Sequence, residues 1–454
     1  MSTLFFCEKE HRMNASVFQT FFRYVSLNIM GMMAISIYIL ADTFFIAQSL
    51  GPLGLTALNF SISIYSILHG VGLMVGIGGA TRFAILKSAG KQKESREIFQ
   101  HGLKTGLMFS FFFMVAGILF TDQIAVLLGA DSETFAMTKT YLGTILLFSP
   151  FFLFNNILLA FVRNDQNPKG AMTAMIAGSL SNIILDYIFM FPLRMGIFGA
   201  VFATSLAPVI SMLFLVPHFR RRKDLFEGFT SRFSWKMMMD HFTLGASSFV
   251  VEVSSGLVLM IFNLVILKLE GNLGVAAYGI VANLALVCLA IFTGLSQGMQ
   301  PLVSKYYGQK KEKQLKEVLK YGLCSAALIG GILYITALLF SAPMVALFNG
   351  EDNEKIAALA ERGLVLYFSG LLIAGVNIII STYLSAVERA AQGFLLSLLR
   401  GVFVMVPMVM ILSELFKMDG VWMSFLATEV LVIGCSLYFI RKEKSLPVKK
   451  SIPA

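Results

Sequence analysis

The feature that most constrains this chain is a series of apolar runs, each about 20 residues long, that recurs along its whole length. One such run is long enough to cross the hydrocarbon core of a bilayer as a helix. Charged residues make up only 14% of the 454 residues, against about 25% in a soluble domain, so the chain cannot cover itself with charge in water. We therefore predict an all-α integral membrane protein with twelve transmembrane helices. These spans 1 to 12 are 17–47, 53–88, 98–120, 137–161, 170–193, 196–219, 241–268, 274–304, 318–341, 361–387, 393–416 and 419–440.

The basic residues are distributed unevenly between the two sides of the membrane that this topology defines. If the N-terminus is cytoplasmic, thirty of the 36 lysines and arginines fall on the cytoplasmic side, helix ends included. This bias is typical of multi-pass membrane proteins. We therefore expect both termini to be cytoplasmic, with a tail at 1–16 and a basic tail at 441–454. The net charge of +10 then reflects orientation in the membrane and not nucleic-acid binding.

The second half of the sequence repeats the first at an offset near 220 residues, as when LGLTALNF at 53 matches LGVAAYGI at 273. Each half contains six spans, which is an even number, so both halves have the same orientation. They are then related by an axis along the membrane normal, a plan found in transporters. We predict two pseudo-symmetric six-helix lobes. The predicted N-terminal lobe is 17–219, the cytoplasmic linker is 220–240, and the C-terminal lobe is 241–440.

This duplicated plan favours a transporter that works by alternating access around a central cavity. A channel more often assembles identical subunits, and an enzyme would need a nucleophile or metal cluster that the sequence does not contain. The four cysteines form no C-x-x-C pair and indicate no metal site. The glycines of GVGLMVGIGGAT (70–81) lack the Gly-Lys-Ser/Thr of a nucleotide loop, and we predict that they let helices pack closely. We therefore expect no enzymatic activity and no cofactor.

Four acidic residues stand inside the apolar runs, where a charge at a helix centre costs about 2.5–3.5 kcal/mol on insertion scales. Such residues usually face a bundle interior and mark ion or substrate pathways. The sequence suggests no lysine or arginine at comparable depth, so we expect a mobile cation to neutralise them. We interpret Glu429 as a structural group, whereas for Glu252 the structural and functional interpretations stay open. The four are Asp42, Asp186, Glu252 and Glu429.

Asp42 and Asp186 lie at similar depth in the same lobe, about 10 Å below the outer surface at the rise of an α-helix. Tyr38 precedes Asp42 by four residues, and Asn182 precedes Asp186 by four, so each pair shares a helix face. If spans 1 and 5 are neighbours, two carboxylates meet a phenol and an amide in one pocket. Burial and like-charge repulsion there favour binding of a proton near neutral pH. Several oxygens would also suit a hard cation such as Na⁺.

The chain resembles the multidrug and toxic compound extrusion (MATE) transporters over essentially its whole length. The resemblance is carried by ADTFFIAQSLGPLGLTAL (41–58), NIILDYIF…GIFGAVFAT (182–204), GNLGVAAYGI (271–280) and GLSQGMQPLVSKYYGQ (294–309). It points to the DinF-like branch and its multidrug exporters of Gram-positive bacteria. It implies cation-coupled antiport across the bacterial cytoplasmic membrane, with H⁺ or Na⁺ moving in and an organic cation moving out.

The resemblance also implies which residues bind the coupling ion. Glu252 matches an acid of span 7 that matters in the other bacterial branch of the family. Span 10 lacks the aspartate of that other branch, so the resemblance implies no cation site in the C-terminal lobe. Span 1 lacks the proline at which several relatives bend, so a bend there would have to use Gly31. The implied site is Asp42, Asn182, Asp186 and Thr204, with Tyr38, Tyr141 and Asn156 nearby.

The acids favour a small cationic or neutral amphipathic substrate over an anionic one. The main alternative is a flippase for lipid-linked oligosaccharides of the same superfamily, which would need a cationic cavity for pyrophosphate. A second is a twelve-span symporter of the major facilitator type, although the loop after span 2 reads GKQKESRE and not Gly…Asp-Arg. A third is a receptor or channel that transports nothing. We expect a monomeric exporter in contact with the lipid bilayer and not with nucleic acid.

Overall fold

A computed structural model describes residues 2–229, 233–348 and 353–444, and every regular element in these ranges is a helix. Residues 230–232 of the predicted linker and 445–454 of the predicted basic tail lie outside the described residues. The α-helices are Ser2–Ser88, Gln92–Leu119, Thr121–Leu127, Phe135–Leu147, Ser149–Asn164, Pro168–Met190, Gly196–Arg221, Trp235–Gly308, Glu312–Ala346, Glu354–Phe368, Leu371–Ala386, Ala390–Leu398 and Met405–Lys444. A 3-10 helix covers Lys223–Phe226 and a π-helical turn covers Leu399–Phe403.

In the described ranges, seven helical stretches are long and apolar enough to cross a membrane, and two further pairs of helices join at bends of 51° and 44°. Four of the seven contain an internal break, at Gly51, Gly271, Phe340 and Lys417. The break at Phe340 is followed only by residues 341–346 of its helix, which are too few to form a span. Counting both sides of the breaks at Gly51, Gly271 and Lys417 as spans, and each bent pair as one span, gives the twelve spans that the sequence predicts. The predicted fold class is confirmed.

The sharp turns of the backbone repeat at the spacing seen in the sequence. Gly51 and Gly271 both break a helix at a φ of 64°, with ψ of −155° and −154°. Gly90 and Lys310, which follow spans 2 and 8, both have positive φ, at 84° and 56°. Residues 51 and 271 are 220 apart, as are residues 90 and 310. The two halves of the chain therefore place equivalent turns at equivalent positions.

Gly51→Ala is expected to lower the free energy of unfolding by about 1–3 kcal/mol. Its φ of 64° and ψ of −155° lie in a region that only glycine adopts readily. No heavy atom lies within 4 Å of the position of an added Cβ, so backbone strain and not a clash is the cause. The thermal midpoint of the purified protein in detergent should fall. The matched control is Gly434→Ala, which has equally open space and should keep its midpoint, so equal midpoints for both variants would contradict the turn at Gly51.

The chain forms two compact units, and their boundaries cut through helices. The N-terminal unit is Leu27–Gly256, and the C-terminal unit joins Met1–Ser26 to Leu257–Ala454. The beginning of span 1 therefore belongs with the C-terminal spans, and the beginning of span 7 belongs with the N-terminal ones. The predicted lobe boundaries instead place the beginning of span 1 in the N-terminal lobe and the beginning of span 7 in the C-terminal lobe. All the residues predicted for the cation site, and Glu252 with them, lie in the N-terminal unit.

Close glycine contacts explain why the beginning of span 7 packs with the N-terminal unit. A Cβ at Gly78 of span 2 would lie 1.9 Å from the backbone oxygen of His241. A Cβ at Gly245 of span 7 would lie 1.9 Å from the backbone oxygen of Met74. Only residues without a side chain permit two helix backbones to approach this closely. The sequence predicts that the glycines in 70–81 let helices pack closely, and Gly78 does so in the structure.

Candidate cation site and its surroundings

Spans 1 and 5 are neighbours in the N-terminal unit. The ring of Phe45, three residues after Asp42, lies 6.3 Å from the ring of Tyr187, which follows Asp186. The charges of the two aspartates act on one another, so the two carboxylates share one electrostatic environment. The structure thus brings together the two acids that the sequence places at matched depth.

The two aspartates are buried together with an amide and a hydroxyl. Asn182 and Asp186 are 0% exposed, and Asp42 and Thr204 are 7% exposed. Asn182 Nδ2 donates a hydrogen bond to Thr204 Oγ1 at 3.3 Å, which ties span 5 to span 6. The hydroxyl groups of Thr204 and Tyr141 also share a hydrogen bond. Spans 1, 4, 5 and 6 therefore each contribute a polar group to this cluster.

Several oxygens of this cluster have no donor among the described residues. They are Oδ1 of Asp42, both carboxylate oxygens of Asp186 and Oδ1 of Asn182. A buried acceptor without a donor costs free energy, and a buried carboxylate without a partner costs the most. Bound H⁺ or Na⁺ would remove this cost. Carboxylate, amide and hydroxyl oxygens are the ligands that a hard cation prefers, so the residues present fit either ion.

The remaining predicted residues are Tyr38, Tyr141 and Asn156, and they differ in their surroundings. Tyr141 is buried, and its phenol lies within the field of both aspartates. Tyr38 is half-buried, senses the same two charges, and hydrogen-bonds to the hydroxyl of Tyr65 on span 2. Asn156 instead lies against span 2, where a Cβ on Gly72 would be 3.0 Å from its Nδ2. The structure does not hydrogen-bond Asn156 to either carboxylate.

Span 1 passes through Gly31 without a break. Within Ser2–Ser88 the non-helical backbone is at Gly51. Gly31 packs closely on span 5, where a Cβ would lie 2.9 Å from Met175 Sδ. Gly31 is therefore a packing position in this structure and not the site of a bend.

Glu252 is paired with a residue that the sequence analysis missed. Its Oε1 lies 3.1 Å from Nδ1 of His69 on span 2, although the angle between them is not that of a hydrogen bond. An imidazole neutralises a carboxylate only when it is protonated, so a mobile cation as the neutralising partner of Glu252 stays a prediction. One sequence feature could have identified His69. Tyr65 lies four residues before it, so two polar aromatic side chains share one face of span 2.

Glu429 has an arginine partner, so the expectation of no basic residue at its depth is wrong. Glu429 is 0% exposed, and its Oε1 forms an ion pair with Nε of Arg400. Its Oε2 accepts a hydrogen bond of 2.7 Å from Nδ2 of Asn377, whose Oδ1 accepts one of 2.8 Å from Ser436. Arg400 lies ten residues after Ala390, about 15 Å along the helix, on the π-helical turn. Glu429 is thus a satisfied group of the C-terminal unit, in agreement with its structural interpretation.

Asp165, in the connection between spans 4 and 5, lies in a cluster of basic side chains. It forms ion pairs with Lys87 and Arg222, and its Oδ2 lies 3.1 Å from Nε2 of His218. Burial alone would raise the pKa of Asp165, but the contacts with His218, Lys87 and Arg222 outweigh burial and hold its pKa below the ordinary value. The cluster joins the ends of spans 2 and 6 to this connection.

Asp165→Asn is expected to lower the thermal midpoint at pH 7 and to matter less as the pH falls. Because the pKa of Asp165 is depressed in the folded protein, its ionised form stabilises the fold above the unfolded pKa of about 3.9, and this stabilisation is lost as pH falls through the folded pKa. The difference between the midpoints of the variant and the wild type should stay constant from pH 7 to about pH 5, and it should shrink as the pH falls below about 4. Asp224→Asn, which removes an exposed partner of Arg222, is the control and should have a smaller effect. A pH-independent difference for Asp165→Asn would contradict this role.

The profile of the MatE family matches residues 28–188 and 248–411, two segments that begin 220 residues apart, one in each half. The multidrug export protein MepA of Staphylococcus saprophyticus is 26% identical over 440 residues, which is 96% of each chain. The protein of the same name from Staphylococcus aureus is 28% identical over 379 residues, which is 83% of each chain.

Solved structures show the same fold. A mutant of the Vibrio cholerae MATE transporter VcmN gives a TM-score of 0.88 at 18% identity, and the match covers 96% of this chain and 99% of that one. An outward-facing multidrug resistance MATE family transporter of the MOP superfamily gives 0.88 at 20% identity, with 95% and 96% covered. At these identities the likeness concerns the fold alone.

Proposed function

The chain belongs to the MatE family of transporters, and from that premise we propose that it exports small organic compounds by antiport against H⁺ or Na⁺. The observation that carries the proposal is the pair of buried aspartates, Asp42 and Asp186. Three of their four carboxylate oxygens have no donor among the described residues. A group that must lose and regain a charge during a transport cycle needs such an arrangement, because a fixed counter-charge would hold it in one state.

Two alternating charge states of this site would drive the cycle. With H⁺ or Na⁺ bound, the charge between spans 1 and 5 is reduced, and Asn182 and Thr204 supply neutral oxygens. When the ion leaves, two like charges remain buried side by side, which raises the free energy of the conformation that buries them. An ion that binds one conformation more tightly than the other shifts the population between inward-open and outward-open forms.

The substrates are proposed to be cationic or neutral amphipathic compounds. The carboxylates of the N-terminal unit would attract a cation and repel an anion. The staphylococcal relatives are named multidrug export proteins, which supports drugs as a substrate class. We further propose that the protein works as a monomer in a bacterial cytoplasmic membrane with both termini inside.

The buried acids also weigh against the flippase alternative. A pyrophosphate headgroup needs arginine or lysine side chains to neutralise its charge. The charges that act on the phenols of Tyr38 and Tyr141 beside this site are those of carboxylates, namely Asp42, Asp186 and, for Tyr38, Glu252. This neighbourhood suits a cation.

Gradient-driven export of ethidium from proteoliposomes tests the proposal. A pH gradient and a Na⁺ gradient are imposed in separate experiments on the wild type and on Asp186→Asn. Export driven by one gradient in the wild type alone would support antiport and identify the ion. Export that is equal with and without either gradient would overturn the proposal.

A further inference from the structure

The linker at 220–240 is fixed on the N-terminal unit. Gln100 Nε2 of span 3 donates hydrogen bonds to the backbone oxygens of Leu225, at 3.0 Å, and of Glu227, at 2.8 Å. The side chain of Leu225 is buried in an apolar cluster of the unit. Arg96 Nη1 donates a further hydrogen bond of 2.9 Å to Oε2 of Glu227. The described part of the linker therefore presents a defined surface to its surroundings.

This fixed segment leaves four aromatic side chains exposed. Each is at least 39% exposed, and Trp235, at 66%, is the most exposed of them. The ring of Phe233 meets that of Trp235 edge-on at 5.3 Å, and Nζ of Lys104 lies 5.4 Å from the ring of Phe229. Aromatic rings beside cations are typical of the boundary between the apolar core of a bilayer and its headgroups. The four are Phe226, Phe229, Phe233 and Trp235.

The position of the linker in the chain also places it at that boundary. It joins two helices that are long and apolar enough to cross a membrane, Gly196–Arg221 and Trp235–Gly308. The end of the first helix and the start of the second therefore lie at the same face of the bilayer. Trp235 begins the second helix, and Phe226 lies in the 3-10 helix just past the end of the first. The exposed rings thus lie where lipid headgroups surround the protein.

The linker has a surplus of positive charge that its own acids do not cancel. Each of its three carboxylates lies within 4 Å of an arginine nitrogen: Asp224 beside Arg222, Glu227 beside Arg96, and Asp240 beside Arg82. Four exposed bases form no ion pair with any residue that the structure describes, and these are Arg220, Arg221, Lys223 and Lys236. Unpaired bases beside a membrane attract anionic headgroups. A zwitterionic headgroup has its own ammonium group and is attracted less.

We propose that these four aromatic and four basic residues, the linker surface, bind anionic phospholipids in the leaflet on the side of the linker. The rings lie among the headgroups and the upper parts of the acyl chains. The arginines and lysines donate charge-assisted hydrogen bonds to the phosphate oxygens. Lipid bound in this way holds the end of span 6 and the start of span 7 at the membrane. The proposal goes beyond transport, because this binding needs neither substrate nor coupling ion.

Quenching of Trp235 fluorescence by brominated phospholipids tests the proposal. The chain has two tryptophans, and the other, Trp422, is 0% exposed, so Trp235→Phe supplies the background signal. The purified full chain is reconstituted in phosphatidylcholine with an equal small fraction of brominated phosphatidylglycerol or brominated phosphatidylcholine. The wild type should prefer the anionic lipid by about fivefold or more, since one basic residue near a membrane surface contributes about that factor.

Variants at exposed positions assign this preference to the linker surface without risk to the fold. Arg220→Gln combined with Arg221→Gln should bring quenching by the two lipids closer to equal, and Lys236→Gln should do the same. The matched control is Lys139→Gln, which removes an exposed base that is paired with Asp122 and should keep the full preference.

Two results would overturn the proposal at once: equal quenching of the wild type by both lipids, and a preference that survives in both basic variants. Inorganic phosphate, compared with NaCl at the same ionic strength, separates a lipid headgroup from a soluble phosphate as the ligand. The preference should be the same in both salts. Its loss in phosphate alone would identify a soluble phosphate as the ligand and contradict lipid binding.

Discussion

Asp186→Asn is expected to reduce gradient-driven export by at least about tenfold, which corresponds to about 1.4 kcal/mol of lost coupling. Asparagine has the shape of a protonated aspartate but cannot change its charge. The variant would hold the site in its neutralised state, so an ion gradient could no longer shift the balance between the two conformations. Asp42→Asn should act in the same direction, because the charges of both aspartates belong to one site.

The same substitution should not destabilise the protein. Asp186 is 0% exposed and neither of its carboxylate oxygens has a donor among the described residues, so its removal takes away a costly buried charge. The thermal midpoint of Asp186→Asn at pH 7 should equal or exceed that of the wild type. Asp122→Asn, at an exposed residue paired with Lys139, is the matched control and should export normally. Undiminished export by Asp186→Asn would move the coupling site elsewhere.

Arg400→Met is expected to lower the free energy of unfolding by about 3–5 kcal/mol. The substitution keeps an apolar side chain of similar length but leaves Glu429, which is 0% exposed, without a counter-charge. Asn377 remains as a hydrogen-bond donor to Oε2, and a single amide does not replace a guanidinium. Unfolding of the purified protein in detergent, followed by heat and by denaturant, measures the loss.

A double variant separates loss of the ion pair from loss of packing. Replacing both partners, as Arg400→Met with Glu429→Leu, removes the buried charge as well as its partner. The double variant should regain much of the stability that Arg400→Met loses, because an apolar pair of similar volume often substitutes for a buried ion pair. If the double variant is no more stable than Arg400→Met, the ion pair is not the cause of the loss.

The number of spans and the repeat could be predicted from the sequence because they depend on local properties. Apolar length determines whether a helix crosses a membrane, and the offset between the halves places Gly51 and Gly271 at equivalent turns. The spacing of Asp42 after Tyr38 and of Asp186 after Asn182 likewise follows from helix geometry. These features need no knowledge of which helices are neighbours.

The features that could not be predicted depend on contacts between helices. Periodicity shows which face of span 11 contains Arg400 but not that Glu429 of span 12 lies opposite. The same limit applies to His69 and Glu252, which are 183 positions apart in the chain. The position of Glu252 in the N-terminal unit depends on the glycine contacts of span 7, which the sequence alone does not assign to a partner helix.

Ion movement driven by the substrate is the most direct test of antiport. Proteoliposomes containing the purified protein are loaded with ethidium, with a pH indicator in one set and a Na⁺ indicator in another, and no ion gradient is imposed. Exit of ethidium from the wild type should drive H⁺ or Na⁺ into the lumen, and Asp186→Asn should show no such ion entry. Exit of ethidium at the wild-type rate with neither ion moving would contradict cation-coupled antiport.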